Sequence, residues 1–564
     1  MGRSTSRRNF LRYSTLAGVG ITHNPLSALA YNKENLKTES IGIETTPGQQ
    51  VVTLLQTTDV HCQLHPHDEL FWENEKIVFR TTGGYAHVAT LIKEIKAKNP
   101  NTFVLDTGDM FQGSQLSVET TGKALQPILN SIGYNLYLPG NWEVVYYKEA
   151  MQKLLGGLDA PKICANMYHD LGDGKKGELI FPPYHTWSAA GIKIGFVGYT
   201  DPWVPIRQSP AYSKGIIYTK PEENCEHYVS VLKDQEQCDL IILLSHLGLS
   251  QQIALANSKE CKGVDYIFGG DTHERVRKPI QCKYTKVVEP GAFGSFVGKL
   301  DLIVENGKIL HHRYSLIEVD TVRFKPDAAV QSMIKKQEQP FAAAINKIVG
   351  YSKIPLYRYF VVENTIDTLI IDALKWKVGT DIVLSNGFRF CPPRKKRDAT
   401  ANIPITEGFL YDMLPVDSQI RTAKVTGSQI VEWLEKELNN VFAKDASKRI
   451  GGWVVKFKGM KVEFKAFDEP GKRVKSVTVD GNPVELSKFY TVCACEREGD
   501  PPTLLCRIQN VVEASNMPYT LHEVLKEYLK ENSPVSPLPE KNAIILDAPA
   551  TLLSQVSGVD YHFT

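Results

Sequence analysis

Short apolar runs alternate with longer amphipathic stretches through the first half of the chain. The apolar runs resemble strands buried in a sheet, whereas residues 85–97 and 225–235 repeat their apolar positions with helical spacing. The predicted strands are residues 51–57, 102–105, 137–138, 192–197, 240–244 and 266–268. Most of them end in polar residues that include Asp, Asn or His. Strand, polar loop and helix in alternation predict an α/β enzyme, in which ligands bind at the carboxyl ends of the strands.

The second half of the chain has a different pattern. Residues 323–350 are charged and helix-prone, and we predict that they connect a catalytic domain, residues 50–322, to a second domain. This second domain, with a tail, comprises residues 351–564 and mixes strands with a few helices. Residues 365–378 and 428–438 are its clearest predicted helices.

The first thirty residues have the pattern of an export signal. Arg7 and Arg8 precede a short apolar run, and Ala28-Leu29-Ala30 matches a cleavage site. Paired arginines in this register are typical of the twin-arginine export route. We therefore expect residues 1–30 to be a signal peptide, residues 31–49 to be a linker, and the protein to be periplasmic.

Composition narrows the classes of function. A chain of 564 residues is long enough for two or three domains. Its formal net charge of +2 argues against a broad nucleic-acid surface, so we expect no nucleic-acid partner. After the N-terminus no run approaches the roughly 20 apolar residues of a membrane span, so none is expected after signal removal. The ten cysteines form no C-x-x-C pair and leave the pairing of distant cysteines open.

Polar residues at the ends of five predicted strands have the chemistry of a metal centre. Asp59 and His61 are two residues apart in an extended turn, so both side chains can reach one ion. Carboxylate, amide and imidazole ligands without cysteine suit Mn, Fe or Zn. One carboxylate can bridge two ions about 3.5–4 Å apart. The candidate ligands are Asp59, His61, Asp109, Asn141, His246, Asp271 and His273.

The order of these motifs resembles the signature of the metallophosphoesterases: D-x-H, G-D, G-N-x-E, an isolated His, then G-x-x-H. With its second domain the chain resembles the 5′-nucleotidase family. The resemblance implies an N-terminal four-layer β-sandwich flanked by helices and a C-terminal α+β domain. It also implies two divalent ions. One would bind Asp59, His61, Asp109 and His273, and the other Asp109, Asn141, His246 and Asp271.

The first departure from the family is the loss of its acid pair. The family usually has Gly-Asn-His-Glu with an Asp three residues after the His, whereas Trp142 and Val145 occupy these two positions here. General-acid help is typically worth about 10²- to 10⁴-fold. A hydrolase without it needs a better leaving group than a sugar hydroxyl. A thiolate is one, since a cysteine thiol has a pKa of about 8.5.

The second departure concerns the substrate. Nucleotidases hold the base between two aromatic rings, but the matching residues 414–417 and 498–502 supply no ring at the expected places. A stacked base is worth roughly 1–3 kcal/mol per ring, so this loss counts against a nucleotide. Residues 386–389, Asn-Gly-Phe-Arg, form a Gly-Phe-Arg loop that resembles the family's substrate loop. The resemblance implies that Asn386, Phe388 and Arg389 bind the substrate. Arg389 would hold a sulfate-like or phosphate-like oxyanion bidentately; a surface salt bridge is the alternative.

The third departure is Asp271, which replaces the first His of the usual Gly-His-Thr-His. A carboxylate ligand adds charge and favours a harder ion such as Mn. We expect Asp271 to be a ligand, because a buried unpaired carboxylate is costly. The alternative is that Asp271 faces away and one ion is bound weakly.

Together with the export signal, Trp142 and the Gly-Phe-Arg loop resemble the SoxB thiosulfohydrolases of periplasmic sulfur oxidation. These dimanganese enzymes release sulfate from a cysteine adduct on the carrier protein SoxYZ. The resemblance implies Mn as the metal and a SoxYZ-like carrier as partner and substrate. It also implies that Asn141, His246 and Arg389 position the substrate oxyanion and that Trp142 contacts the substrate.

Two other functions stay open. One is a periplasmic 5′-nucleotidase or phosphoesterase with an altered substrate preference, which turnover of AMP would support. The other is a metal-binding or carrier-binding protein without activity, which follows if Trp142 and Asp271 have abolished catalysis. Fewer than two ions per chain, together with no hydrolysis, would support it. His65 and His67, just past the first metal turn, are expected to be exposed loop residues.

Overall fold

The computed structural model describes residues 45–385 and 391–553. The expected signal peptide, most of the expected linker, and Asn386, Phe388 and Arg389 lie outside these residues. Helices and sheets are mixed in both halves of the described chain, which confirms the α/β class. No described helix is long and apolar enough to cross a membrane.

The strands fall into two groups. The first group comprises β1 (Gln49–Thr57), β2 (His67–Glu73), β3 (Lys76–Thr82), β4 (Thr102–Asp106), β5 (Leu136–Tyr137), β6 (Met167–Asp170), β7 (Lys176–Leu179), β8 (Tyr184–Ala189), β9 (Ile192–Thr200), β10 (Ile216–Tyr218), β11 (Leu240–His246), β12 (Tyr266–Phe268), β13 (Ile280–Gln281), β14 (Lys286–Val288), β15 (Phe296–Glu305) and β16 (Lys308–Glu318). The second group comprises β17 (Ile348–Ser352), β18 (Ile382–Ser385), β19 (Ile403–Thr406), β20 (Gln419–Thr426), β21 (Lys456–Lys458), β22 (Met460–Phe464), β23 (Val474–Val479), β24 (Asn482–Pro483), β25 (Phe489–Cys495), β26 (Leu504–Leu505), β27 (Ile508–Gln509), β28 (Val512–Thr520) and β29 (Ala543–Ile545).

The helices lie between these strands and connect the two groups. The α-helices are Tyr85–Lys98, Gln115–Thr120, Leu125–Ile132, Tyr147–Gly156, Val204–Arg207, Cys225–Ser230, Leu249–Ala256, Ala328–Glu338, Ala342–Ile345, Thr365–Val378, Glu407–Met413, Gly427–Phe442 and Leu521–Asn532. Single turns of 3₁₀-helix occupy Glu143–Tyr146, Pro221–Glu223, Lys259–Cys261 and Ala446–Lys448. A π-helical turn, Val231–Gln235, ends the predicted helix at 225–235.

Two sheets of the first domain face each other. Among the described residues, one sheet has the order β16-β15-β1-β4-β5 and the other β13-β14-β12-β11-β9-β8. The ring of Phe103 on β4 stacks on that of Phe196 on β9, with their centroids 4.9 Å apart. The two sheets therefore share one apolar core between them.

Parallel strands bring their carboxyl ends together in each sheet. β1 pairs in parallel with β4, and β11 pairs in parallel with both β9 and β12. All side chains of β11 are buried, which explains its continuous apolar run. The polar loops predicted to form the site follow β1, β4, β11 and β12, so they begin at neighbouring positions.

The second domain has a central mixed sheet with helices on both faces. Its strand order is β21-β18-β25-β20-β28. Val383 of β18 packs in a core with the helices Thr365–Val378 and Leu521–Asn532. The next residue, Leu384, packs in a second core with the helix Gly427–Phe442. Successive strand residues point to opposite faces, so this sheet buries both faces.

The hairpin of β2 and β3 joins the two domains, and the sequence pattern did not predict it. Leu70 of β2 packs against Tyr359 of the second domain. The expectation that His67 is an exposed loop residue is wrong, because His67 lies in β2 and is 7% exposed. Its Nε2 lies 2.9 Å from the Ser295 hydroxyl. His65 is exposed, as expected, and contacts Glu338.

Candidate metal centre

The loops that carry the candidate ligands have strained backbone. Asp59 and His61 both have a φ of 49°, and Asp109 and His273 both have a φ of 61°. Non-glycine residues rarely adopt this left-handed conformation, and such residues cluster at functional sites. Backbone hydrogen bonds hold the first two loops together, since the Asp59 and His61 amides donate to the carbonyls of Gly108 and Asp109, each at 2.9 Å.

One group of candidate ligands comprises Asp59, His61 and His273, all buried. The Nε2 atoms of His61 and His273 lie 3.1 Å apart. Asp59 Oδ1 lies 3.4 Å from His273 Nε2 and 3.8 Å from His61 Nε2. Two imidazole nitrogens and a carboxylate oxygen therefore converge on one point, as around a divalent cation.

A second group comprises Asp59, Asp109 and His246. His246 Nε2 lies 3.1 Å from Asp109 Oδ2 and 3.7 Å from Asp59 Oδ1. Asp109 Oδ2 also lies 3.7 Å from His61 Nε2, so this oxygen stands between the two groups. Asp59 belongs to both groups, so either carboxylate would be placed to be shared by two ions.

The histidine tautomers fit metal binding. Nδ1 of His246 lies 2.6 Å from the Thr107 carbonyl, and Nδ1 of His61 lies 3.1 Å from the Gln112 carbonyl. A carbonyl only accepts, so each Nδ1 carries a proton, and each Nε2 is the nitrogen that faces the site. The buried Nε2 of His246 makes no hydrogen bond of regular geometry to any described residue. These residues therefore fit two divalent ions, which the fold also implies.

Burial and neighbouring carboxylates shift the pKa values of two site histidines in opposite directions. Burial lowers the pKa of His61 to about 4, so this imidazole is neutral at pH 7. Burial also opposes the charged form of His246, but Asp109 and Asp59 outweigh it and raise the pKa of His246 well above its usual value. Because a metal ligand must be a neutral imidazole, a metal ion would compete with a proton for Nε2 of His246.

The G-N-x-E motif holds two strand-end loops in register. The Glu143 carboxylate accepts hydrogen bonds from the amides of Asp109 at 2.9 Å, Met110 at 2.8 Å, and Gly140. Gly140 and Gly108 lie in contact, since a Cβ on Gly108 would be 2.4 Å from the Gly140 nitrogen. Both positions therefore exclude a side chain. This explains why glycine precedes Asp109 and Asn141.

Asn141 and Asp271 lie beside these groups and contact each other. The Asn141 side-chain amide donates to Asp271 Oδ1, and its Oδ1 accepts from the Gln208 side chain at 3.1 Å. Asp271 Oδ2 accepts from Arg207 Nη1 at 3.0 Å. Asp271 thus does not face away into the protein, and its ligation of an ion stays a prediction.

A cavity of about 570 Å³ opens from the metal centre toward the second domain. The first domain lines it with candidate ligands, Trp142 and Arg207, and the second domain with Val416, Trp453 and Glu498, among others. Val416 and Glu498 lie in the two segments where nucleotidases carry the base-stacking rings. The backbone amide of Trp142 donates to Asp109 Oδ1 at 2.8 Å, which fixes the residue beside a candidate ligand.

Sequence reasoning missed Arg207 and Gln208. They lie at the end of the helical turn Val204–Arg207 and just after it. Neither residue follows a strand or belongs to a recognisable motif. The only sequence signal is their place after β9, a strand whose neighbour β11 carries His246.

Profiles of two protein families match the chain. The profile of the calcineurin-like phosphoesterases matches residues 52–275, and that of the 5′-nucleotidase C-terminal domain matches residues 345–496. The two profiles cover the two domains in the family's order. The chain belongs to the 5′-nucleotidase superfamily of metallophosphoesterases. The fold of this superfamily implies divalent metal ions.

Individual members of the superfamily are distant from the chain. The sulfate thiohydrolase SoxB of Thermus thermophilus has a TM-score of 0.80 at 23% identity, over 91% of this chain and 99% of that one. A 5′-nucleotidase precursor from the same species has a TM-score of 0.75 at 23% identity, over 88% and 100%. At this identity the likeness shows the fold alone.

Curated relatives give the same picture. The 5′-nucleotidase of Vibrio cholerae is 24% identical over 557 residues, which is 88% of this chain and 94% of that protein. Two longer relatives from Bacillus subtilis are 24% and 25% identical, and the chain spans 37% and 34% of their length.

Proposed function

We propose that this protein is a hydrolase that releases sulfate from a cysteine S-thiosulfonate on a carrier protein. The observation that carries the proposal is the pair Trp142 and Val145, which stands where nucleotidases have an acid pair. Val145 is 9% exposed and its amide donates to the Trp142 carbonyl at 3.0 Å, so the two residues share one turn. Neither side chain can give a proton to an alkoxide. A sulfur leaving group removes the need for one.

The cavity wall in the second domain supports the same substrate class. Val416 and Glu498 stand in the segments where the nucleobase is held in nucleotidases. A valine and a carboxylate offer no stacking surface. The cavity lies between residues of both domains, which suits an extended carrier segment that ends in the modified cysteine.

The residues of the site have separate parts in this reaction. Two divalent ions held by the candidate ligands would activate water and stabilise the developing negative charge. Asn141, His246 and Arg389 would orient the sulfonate oxygens. The oxygen of water bonds to the sulfonate sulfur while the sulfur–sulfur bond breaks. The electron pair of that bond stays on the carrier's sulfur, which leaves as a persulfide anion, and sulfate and protons are released without an oxidant or reductant.

The proposal also covers the metal, the cellular compartment and the carrier protein. We propose Mn as the metal because Asp271 puts a carboxylate where the family has an imidazole, which favours a harder ion. Arg7 and Arg8 favour twin-arginine export to the periplasm. The carrier would be a SoxYZ-like protein that bears thiosulfonate on a cysteine.

The test is sulfate release from a loaded carrier. Mn-reconstituted protein is mixed with a SoxYZ-like carrier whose cysteine bears thiosulfonate, and sulfate is measured by ion chromatography. We expect multiple turnovers, and a persulfide on the carrier by mass spectrometry. Asp109→Asn is the matched inactive variant, because Asp109 belongs to one group of candidate ligands and lies 3.7 Å from His61 of the other. Absence of sulfate from protein that holds two ions would refute the proposal.

A second candidate is a nucleotide phosphoesterase, and one observation favours it. Trp453 lines the cavity from the second domain, away from the two expected positions. Its indole could stack on a base and replace part of the missing clamp. The same preparation should be assayed with AMP and a UDP-sugar. Turnover of either, with a KM raised by Trp453→Ala, would establish this function in place of the thiosulfonate reaction.

A further inference from the structure

Arg207 links two buried carboxylates at the edge of the metal centre. Its Nη1 lies 2.7 Å from Asp201 Oδ2 and 3.0 Å from Asp271 Oδ2. The side chains of Asp201 and Asp271 are 1% and 4% exposed, whereas that of Arg207 is 23% exposed and lines the cavity. The guanidinium is therefore held from one side by the protein and meets the cavity on the other.

The two oxygens of Asp271 have different partners. Oδ2 faces Arg207, whereas Oδ1 faces the side chain of Asn141, a candidate ligand of the second ion. The Asp271 amide also donates to Asp59 Oδ2 at 3.0 Å, which fixes the backbone at the centre. One oxygen thus meets a candidate ligand of the second ion, and the other pairs with Arg207. Metal ligands commonly need such an outer partner to fix their orientation.

Charge explains why Asp271 needs this partner. The imidazole that usually occupies this position in the family is neutral as a ligand. An aspartate alone would add one negative charge to a buried site that already holds Asp59 and Asp109. Arg207 offsets the charge of Asp271. With Asp201 on the other side of the guanidinium, the three side chains carry one negative charge instead of the two that Asp201 and Asp271 would carry alone.

We propose that Arg207 is a positioning residue that orients Asp271 toward the second ion and offsets its charge. The Asp271–Arg207 pair then stands in for the histidine of the family motif. This inference rests on the two-ion centre implied by the fold and is independent of the sulfur substrate.

The experiment is a double-mutant cycle read by metal binding. Metal-free wild type, Arg207→Gln, Asp271→His and the double variant are titrated with Mn²⁺ by calorimetry and by electron paramagnetic resonance of the coupled ion pair. In the wild-type background, Arg207→Gln should lower the affinity for the second ion by about 10- to 100-fold, the usual effect of removing a residue that orients a metal ligand. The first ion should keep its affinity. In the Asp271→His background, Arg207→Gln should change the affinity for the second ion by less than about 3-fold, because a neutral imidazole needs no cation beside it.

Two further variants separate positioning from folding. Arg207→Lys keeps the charge and should recover part of the second ion's affinity. Arg421→Gln removes another arginine that pairs with a carboxylate, Glu496 in the second domain. It contacts none of the described candidate ligands and should not change Mn²⁺ binding. The melting temperature of each metal-free variant reports on folding.

Several results would overturn the inference. One is an unchanged second-ion affinity in Arg207→Gln, and another is an equal loss in the Asp271→His background. A wild type that takes one ion only, or an Asp271→His variant that cannot take a second, would do the same. None of these results depends on catalysis, so they remain distinct from a failure to release sulfate.

Discussion

Trp142 and Val145 are the residues whose replacement should change the reaction most informatively. They lie at the start and within the turn Glu143–Tyr146, three residues apart, so a His and an Asp at these positions would be neighbours. Trp142 adjoins Asp109 and lines the cavity, which places an imidazole there within reach of a leaving group.

The double variant Trp142→His/Val145→Asp should gain phosphoesterase activity. We expect kcat for AMP to rise by about 10²-fold or more, because a general acid then assists the alkoxide. Sulfate release from a thiosulfonate should not rise, since a sulfur leaving group needs no proton. Val145→Asp alone is the control and should gain little. Unchanged AMP turnover in a folded double variant with two ions would contradict this account of the site.

For individual residues, the sequence predicted the candidate metal ligands better than the residues that contact them. Asp59, His61, Asp109, His246 and His273 could be predicted because each follows a buried strand, and parallel strands end at the same edge. The structure brings these five together. Arg207 could not be predicted, because its guanidinium approaches Asp271 across 64 residues of chain from a segment without a motif.

Among the secondary-structure elements, the hairpin of β2 and β3 connects the two domains most clearly. Glu69 on β2 accepts from Arg275 Nη2 at 2.6 Å, from the Ser295 hydroxyl at 2.6 Å and from the Tyr359 hydroxyl. Glu69 and Arg275 are each 1% exposed. One carboxylate therefore ties the hairpin to the loop after the ligand His273 and to the second domain.

Glu69→Gln should destabilise the fold by roughly 3–5 kcal/mol, because it removes the negative charge that pairs with the buried Arg275. The measurement is the free energy of unfolding by urea. Glu73→Gln on the same hairpin is the matched control. Its partner Arg80 is 36% exposed, and its loss should cost less than about 1 kcal/mol. Equal effects of the two variants would show that Glu69 stabilises the fold no more than the exposed Glu73.

The contribution of Glu69 should also depend on pH. Burial opposes its ionisation, but Arg275, with His67 and Ser295, outweighs burial and lowers the pKa from 4.5 to about 2. A lowered pKa stabilises the fold above the unfolded value and loses that effect as the group is protonated. The difference in stability between wild type and Glu69→Gln should therefore be full above pH 4.5 and shrink as the pH falls toward 2. A difference that stays constant over this range would contradict the assignment.

Elements with strong periodicity were predicted closely, and mixed ones were not. The helix Thr365–Val378 and the strand β12 have the predicted bounds, and the predicted strand at 192–197 extends to Thr200. The hairpin escaped prediction because Asp68, Glu69 and Trp72 alternate in no regular way with apolar residues. Its stability comes from long-range contacts rather than from local pattern.

For the whole molecule, the thiols test whether the fold forms without disulfides. All ten cysteines are free, and burial raises the pKa of Cys62, Cys164, Cys493 and Cys506 to about 12. The thiolate fraction of such a thiol at pH 8 is on the order of 10⁻⁴, and only the thiolate reacts readily.

Native protein should therefore react slowly with iodoacetamide at about pH 8 and take up ten labels only after unfolding. Intact and peptide mass spectrometry before and after urea would count the labels site by site. A mass deficit of two hydrogens per pair, with fewer than ten labels in urea, would show disulfides that contradict the structure.

The pairing of β1 has a consequence for how the chain is made. β1 leads directly into the loop that carries Asp59, yet one of its two neighbours is β15, with Gln49 opposite Glu305. During synthesis the first ligands leave the ribosome long before β15 exists, so β1 then has an open edge that can pair with other chains. The full pairing of β1 with β15 can form only after residue 305 has emerged. A chain that stalls earlier would display its ligands on an unfinished sheet.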